Sequence, residues 1–220
     1  MSFEDFVDNL SKEDRENYDE YSEIRGVLQY RIIFETLHGI CEEVKYSDVN
    51  TFVRYDKAIK DVLYKYLAIV EEKIRNEILS KFDFDSAVGL KDKYEKFDRY
   101  FPKFKIIESD NGKSEITELY KRYALTFRNT VLFAKKYMKT EYNYKELDVV
   151  VNLRNEVMHH SLLLFNYDLG STCEKTRKSI ETLRNVLPDR YRKGLIEGLK
   201  SINDKAKENI APTYFNLLLY

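Results

Sequence analysis

Val149-Val-Val-Asn-Leu-Arg-Asn-Glu-Val-Met-His-His-Ser-Leu-Leu-Leu-Phe165 is a helix by its periodicity, and most of the chain's chemistry is gathered in it. At about 100° per residue, Val150, Leu153, Val157 and Leu164 fall on one side and form a core stripe. Asn152, Asn155 and His159 fall nearly opposite. His160 lies on one flank, nearer the core. Arg154 lies on the other, roughly 140° around from His159 by the same arithmetic. Leu162 and Leu163 lie on the otherwise polar side, so a helix carried on to Phe165 is apolar all round in its last turn. Such a turn asks for burial on more than one face, either in the chain's own core or in a dimer interface. A second copy related by a two-fold axis would also bring one chain's arginine towards the other's histidine.

Only three histidines occur in the 220 residues, and two of them are His159 and His160. A histidine exchanges protons near neutral pH and an arginine holds phosphate charge, which together suit phosphodiester chemistry. Against this, a His-His pair on a helix is often one core and one surface histidine. Arg-Asn dipeptides also recur, at Arg75-Asn76, Arg128-Asn129, Arg154-Asn155 and Arg184-Asn185. Of these, Arg154-Asn155 alone has histidine at this distance. The third histidine, His38, reads as structural.

Towards the N-terminus, residues 2–10 form a short amphipathic lead through Phe3, Phe6, Val7 and Leu10. Ser11 is an N-cap with Glu13 and Asp14 in the first turn. The following helix is expected to run to about Val44 on Ile24, Val27, Leu28, Phe34, Leu37, Cys41 and Val44. The next, about residues 49–81, carries the stripe Phe52, Ile59, Leu63, Tyr66, Val70, Ile74 and Ile78. On it, Glu71 and Arg75 are spaced for a helix-surface ion pair. Residues 82–113 break the pattern. Between Lys91 and Lys105 aromatics alternate with bases, a mix that either stacks on single-stranded RNA or covers a helical core with its lysines in solvent.

Ser114 caps a third long helix, to about Met138, on Ile116, Tyr120, Tyr123, Phe127, Val131, Ala134 and Met138. Its bases Lys121, Arg122, Arg128, Lys135, Lys136 and Lys139 are candidate RNA contacts, or an ordinary solvated face. Beyond the central stretch, Ser171 or Thr172 caps a helix that stops before Pro188. Another runs from about Asp189 to Asn209. The apolar end Tyr214-Phe-Asn-Leu-Leu-Leu-Tyr220 must dock on its own core or on a second subunit. No strand pattern is visible. The fold class is all-α: a helical bundle in a single domain over residues 1–220, with a partly irregular insertion at about 82–113.

Composition sets limits. There are 37 basic against 38 acidic residues, so RNA binding has to come from a local patch rather than from global charge. The charged and apolar fractions, 34% and 43%, suit a folded, soluble protein. Cys41 and Cys173 lack metal-ligand spacing and suit a reducing cytoplasm. Met1-Ser-Phe-Glu-Asp-Phe6 has no signal-peptide pattern, and no apolar run approaches the roughly 20 residues of a membrane span.

Arg154-Asn-Glu-Val-Met-His159 resembles the Arg-x(4–6)-His signature of the HEPN superfamily in its Arg-Asn-x-x-x-His form. The earlier helix is similar to that of the Abi-like (abortive-infection) branch. There an aromatic-Asp-x-x-Leu-x-x-Leu segment precedes an Ile-Glu-x-x-Leu-Arg segment. Here these read Tyr55-Asp56-Lys-Ala-Ile59-Lys-Asp-Val-Leu63 and Val70-Glu71-Glu-Lys-Ile74-Arg75. The resemblance covers roughly residues 50–165. It implies a HEPN-like core over about 45–170, with the N-terminal helix and a C-terminal helical extension packed on it.

The resemblance further implies a homodimer whose two motifs meet in one composite ribonuclease site that uses no metal or other cofactor. His159 would act as general base or acid, with His160 as the backup because both fit the family's spacing. Arg154 would stabilise the transition-state phosphate. Asn155 would orient the histidine or bind phosphate, and Glu71 would support the site. The expected products are a 2′,3′-cyclic phosphate and a 5′-hydroxyl. The implied role is a cytoplasmic toxin or phage-defence effector, held in check by a protein or RNA antitoxin. The alternative is a non-catalytic RNA-binding or partner-binding module of the same fold. A third possibility, a metal site on Glu156 and His160 at i, i+4, lacks the further ligands such sites need.

Overall fold

The computed structural model describes residues 1–81, 126–137, 143–164 and 171–220. The expected insertion at 82–113, the first half of the helix expected from Ser114, and with it Lys121, Arg122 and Lys139, lie outside the described residues, as do the side chains of Ile78 and Lys136. Among the described residues every regular element is helical: α1 (Phe3–Asp8), α2 (Lys12–Arg25), α3 (Val27–His38), α4 (Tyr46–Lys81), α5 (Phe127–Tyr137), α6 (Tyr144–Met158), α7 (Ser171–Val186), α8 (Asp189–Lys207) and a 3-10 helix (Pro212–Leu217). The all-α class is therefore as the periodicity predicts.

The chain falls into two compact units. One comprises Met1–Tyr66 with Leu153–Tyr220, the other Leu67–Asn152. In the first, Ser2 and Asp5 form a capping box at the start of α1. Phe3 and Phe6 then pack on Phe34, the Phe6 and Phe34 rings stacked at 4.5 Å. Ser11 caps α2 as expected, accepting from the Asp14 amide at 3.1 Å.

The single helix expected from Ser11 to Val44 is interrupted. Gly26 takes φ +85°, open to glycine but strained for other residues, and turns the chain between α2 and α3. The break changes which apolar residues face inward. Tyr30, Ile33, Phe34 and Leu37 are buried, whereas Ile24, Val27 and Leu28, expected in the stripe, are 73%, 45% and 57% exposed. The helix ends at His38, whose ring stands edge-on to Phe34 at 5.5 Å, in keeping with a structural role.

The α4 stripe is buried as expected, through Phe52, Ile59, Leu63, Tyr66, Val70 and Ile74. In the first unit α8 approaches α4 closely at its glycines: a Cβ built on Gly194 would lie 2.6 Å from the Tyr66 hydroxyl. The apolar C-terminal segment docks on its own unit. Tyr214, Leu217, Leu218 and Leu219 are buried. The Leu219 amide donates to the Tyr55 hydroxyl at 2.8 Å, and that hydroxyl donates to Asn203 Oδ1 at 2.6 Å. Asp48 accepts from the Ala211 amide at 3.1 Å.

In the second unit Phe127, Val131 and Ala134 of α5 are buried, as are Leu147 and Val150 of α6. One helix is expected to run unbroken from Ser114, but Thr126 is non-helical: its hydroxyl accepts from the Asn129 amide at 3.2 Å and caps α5.

Candidate functional site

Arg154 and Asn155 lie on the last turn and a half of α6, both half-buried, above the stripe of Val150, Leu153 and Val157, which is buried as expected. The helix does not continue to Phe165. It stops at Met158, and the two histidines form the turn that ends it. The His160 amide donates to the Val157 carbonyl at 3.3 Å, and the Ser161 amide donates back to the Glu156 carbonyl at 3.0 Å. This pair of bonds is the Schellman arrangement, with His160 at the left-handed position after the cap. Its φ is +54°, and among the described residues it is the one non-glycine residue with positive φ.

Two expectations change as a result. Leu162, Leu163 and Leu164 are not on a helix with an all-round apolar turn; they are non-helical, Leu162 half-buried and Leu163 and Leu164 buried in their own unit. They therefore supply no argument for a second subunit. Glu156 and His160 do not stack as an i, i+4 pair either. Glu156 instead meets Lys175 of α7 at 3.1 Å. No group of three or more His, Cys, Asp or Glu placed to hold a metal occurs among the described residues.

His159 keeps the expected relation to Asn155. Its amide still donates to the Asn155 carbonyl, at 2.9 Å, so the two side chains share a face. Both histidines are exposed.

The turn is held by a polar cluster that sequence reasoning did not single out. Asp56 Oδ2 pairs with Lys60 Nζ one turn along α4, both side chains being nearly inaccessible. Asp56 Oδ1 accepts from the Leu163 amide at 2.8 Å, and Lys60 Nζ donates to the His160 carbonyl at 3.4 Å. From the other side, Thr176 Oγ1 donates to the Leu163 carbonyl at 2.7 Å and Cys173 Sγ to the Leu164 carbonyl at 2.9 Å. Burial pushes the Asp56 carboxyl up, against the ammonium of Lys60 and the amides of Leu163 and Leu164. A signal was present: Asp56 falls between Leu63 and Leu67 on the helical wheel, both of them buried, so a carboxylate there is buried and needs partners. The cluster fixes the backbone from which His159 and His160 project.

A cavity of about 440 Å³ opens beside the turn. Asp56 and Lys60 line it, together with Arg25, Lys57, Tyr64, Met158 and His160. His160 thus faces a recess, while His159 sits outside it.

Glu71 pairs with Arg75 at 2.7 Å on α4 as their spacing predicts, but the pair is part-buried rather than on the open helix surface. Arg128 and Lys135 are exposed on α5. All four belong to the second unit. Among the described residues no helix is long and apolar enough to cross a membrane.

Against known proteins, the chain matches no protein-family model, no curated protein and no solved structure.

Proposed function

We propose that the chain is a metal-independent endoribonuclease of HEPN type. The observation that carries this reading is the exposed His159 on a backbone turn locked by buried Asp56 and Lys60, with Arg154 and Asn155 on the helical turn before it. An exposed imidazole can take the ribose 2′-hydroxyl proton or give one to the leaving 5′-oxygen. A guanidinium supplies the charge that the pentacoordinate phosphate develops. Asn155, on His159's face, orients the ring or binds a phosphate oxygen. His160 is the second candidate for the proton transfer. A homodimer would bring two such motifs into one site, and the exposed Arg128 and Lys135 are candidates for contacts along the RNA. The biological role that fits is a toxin or phage-defence effector, with an antitoxin as its neutralising partner.

The test is RNA cleavage in EDTA by the wild type and by His159→Ala, His160→Ala and Arg154→Ala. Cleavage that yields 2′,3′-cyclic phosphate ends and is lost with Arg154 and one of the histidines supports the proposal. The second reading, a non-catalytic binding module, is favoured by the exposed apolar residues Ile24, Val27, Leu28, Tyr64 and Met158. RNA that is bound but left whole by the wild type, with the same affinity in His159→Ala, would replace the first reading with the second.

A further inference from the structure

The cavity beside the His159–Leu164 turn has a composition that none of the assigned roles uses. Its floor is polar and built: the ammonium of Lys60 and the carboxyl of Asp56, both nearly inaccessible and fixed by hydrogen bonds to the turn. Apolar side chains make the walls, and Tyr64, 55% exposed, stands at the opening. Arg25 and Gln29 project from α2 and α3 on either side of the Gly26 break. Lys57 is neutralised by Asp61 at 3.2 Å and Lys60 by Asp56. Arg25, by contrast, has no carboxylate within 4 Å among the described residues, so its charge is available to an anion.

An exposed aromatic, an amide with both donor and acceptor, an uncommitted guanidinium and a volume of about 440 Å³ suit a planar heteroaromatic ring joined to a phosphate. A purely apolar ligand would leave the Lys60–Asp56 floor without polar contact. A free anion would not use Tyr64. We propose that this cavity takes one nucleotide of an RNA strand, its base against Tyr64 with its edge read by Gln29, and its phosphate on Arg25. The inference rests on the RNA reading above and deepens it: His160 lines the same cavity, so the captured nucleotide would be a near neighbour of the bond that is cut. The cavity, rather than the catalytic motif, would then choose which base is cut beside.

The experiment measures binding of short 2′-O-methyl oligoribonucleotides, which lack the attacking hydroxyl and cannot be cut, by titration calorimetry at two salt concentrations. Stacking on one aromatic is worth about 1–3 kcal/mol, so Tyr64→Ala should weaken binding by at least about fivefold while Tyr64→Phe holds it. Arg25→Gln should weaken binding and lower the logarithmic salt slope by about 0.7, the loss of one phosphate contact on a single strand. Gln29→Leu should flatten the preference among A, C, G and U oligomers. Circular dichroism checks that the variants fold, which Tyr64's exposure favours.

Unchanged affinity in both Tyr64→Ala and Arg25→Gln overturns the proposal, even if the wild type cleaves RNA. Variants that instead change oligomeric state with affinity intact also overturn it, because the surface is then a protein interface. Tyr64-dependent binding by a wild type that cuts nothing would sink the nuclease and leave the nucleotide site standing.

Discussion

Replacing Asp56 by leucine should damage this protein far more than its place on a regular helix suggests. The substitution leaves the Lys60 ammonium buried with no counter-ion and the Leu163 amide with no acceptor. Breaking a buried pair from one side costs about 3–5 kcal/mol, and an orphaned buried amide about 1–3 kcal/mol. The two penalties overlap, since both desolvate one cluster, so about 4 kcal/mol is expected. The partner substitution Lys60→Met should cost less, on the order of 1–2 kcal/mol, because Asp56 can take up a proton that burial already favours. The sign of its pH dependence follows. A carboxyl whose folded value is raised contributes stability that is fully present below its unfolded value and is lost as pH rises through the folded value. Lys60→Met should therefore be most nearly normal at low pH.

Combined, Asp56→Leu/Lys60→Met leaves no buried charge, only the Leu163 amide and the His160 carbonyl without their side-chain partners, and should be more stable than Asp56→Leu alone by about 2 kcal/mol. Urea unfolding followed by far-ultraviolet circular dichroism measures all three. A control lies one residue along: Lys57 and Asp61 have the same spacing, at 3.2 Å, but half or more of each side chain is exposed. Lys57→Ala should cost no more than about 0.5 kcal/mol. Two results would refute the reasoning: an Asp56→Leu cost below about 1 kcal/mol, or a double variant less stable than Asp56→Leu.

Other outcomes follow from the same geometry. His160→Gly should raise stability by about 1 kcal/mol in the same denaturation experiment, because the left-handed position after a helix is strained for a residue with a Cβ. If His160→Gly keeps nuclease activity, His159 is the working histidine; loss of activity in the stabilised variant assigns the role to His160. Burial raises the Tyr30, Tyr46 and Tyr55 phenols above their ordinary range, and pushes Tyr214 up to about 12. Their neutral forms stabilise the fold fully below the unfolded value, and this is lost as pH rises from about 10 through the folded values. Tyrosinate absorbance should then appear in two stages, the second coincident with loss of helical signal.

The helical class could be read from spacing because the core stripes of α4, α5 and α6 are long and regular, and Phe52, Ile59, Leu63, Val131 and Leu153 are buried as the 3.6-residue period requires. Helix ends were less legible. At Gly26 the apolar residues Ile24, Val27 and Leu28 continue the pattern across a break and so conceal it. At Met158 the helix stops without the glycine or proline that normally marks an end, because His160 itself takes the left-handed conformation. Arg154, Asn155 and His159 stood out through residue type and spacing. Asp56 and Lys60 did not, because a buried ion pair and a surface ion pair have the same i, i+4 signature. Only the position of Asp56 within the apolar stripe separates the two.

The first compact unit is closed by contacts between residues far apart in sequence. The bond from Leu219 to Tyr55 spans 164 positions, and that from Ala211 to Asp48 spans 163. A chain leaving the ribosome at about 5–20 residues per second will have exposed the whole of α4 and the Arg154–His159 motif for several seconds before Leu219 emerges. Until then, the segment that covers Tyr55 and the α4 core is missing. Long-range closure of this kind is slow, since the entropy of ordering the intervening chain is lost before the contacts form. The nascent chain therefore carries Asp56, Lys60 and the turn they hold before it carries the segment that closes the unit around Tyr55. The Arg154–His159 motif is made about 60 residues before the segment that closes its unit, and full closure of that unit waits on the apolar tail.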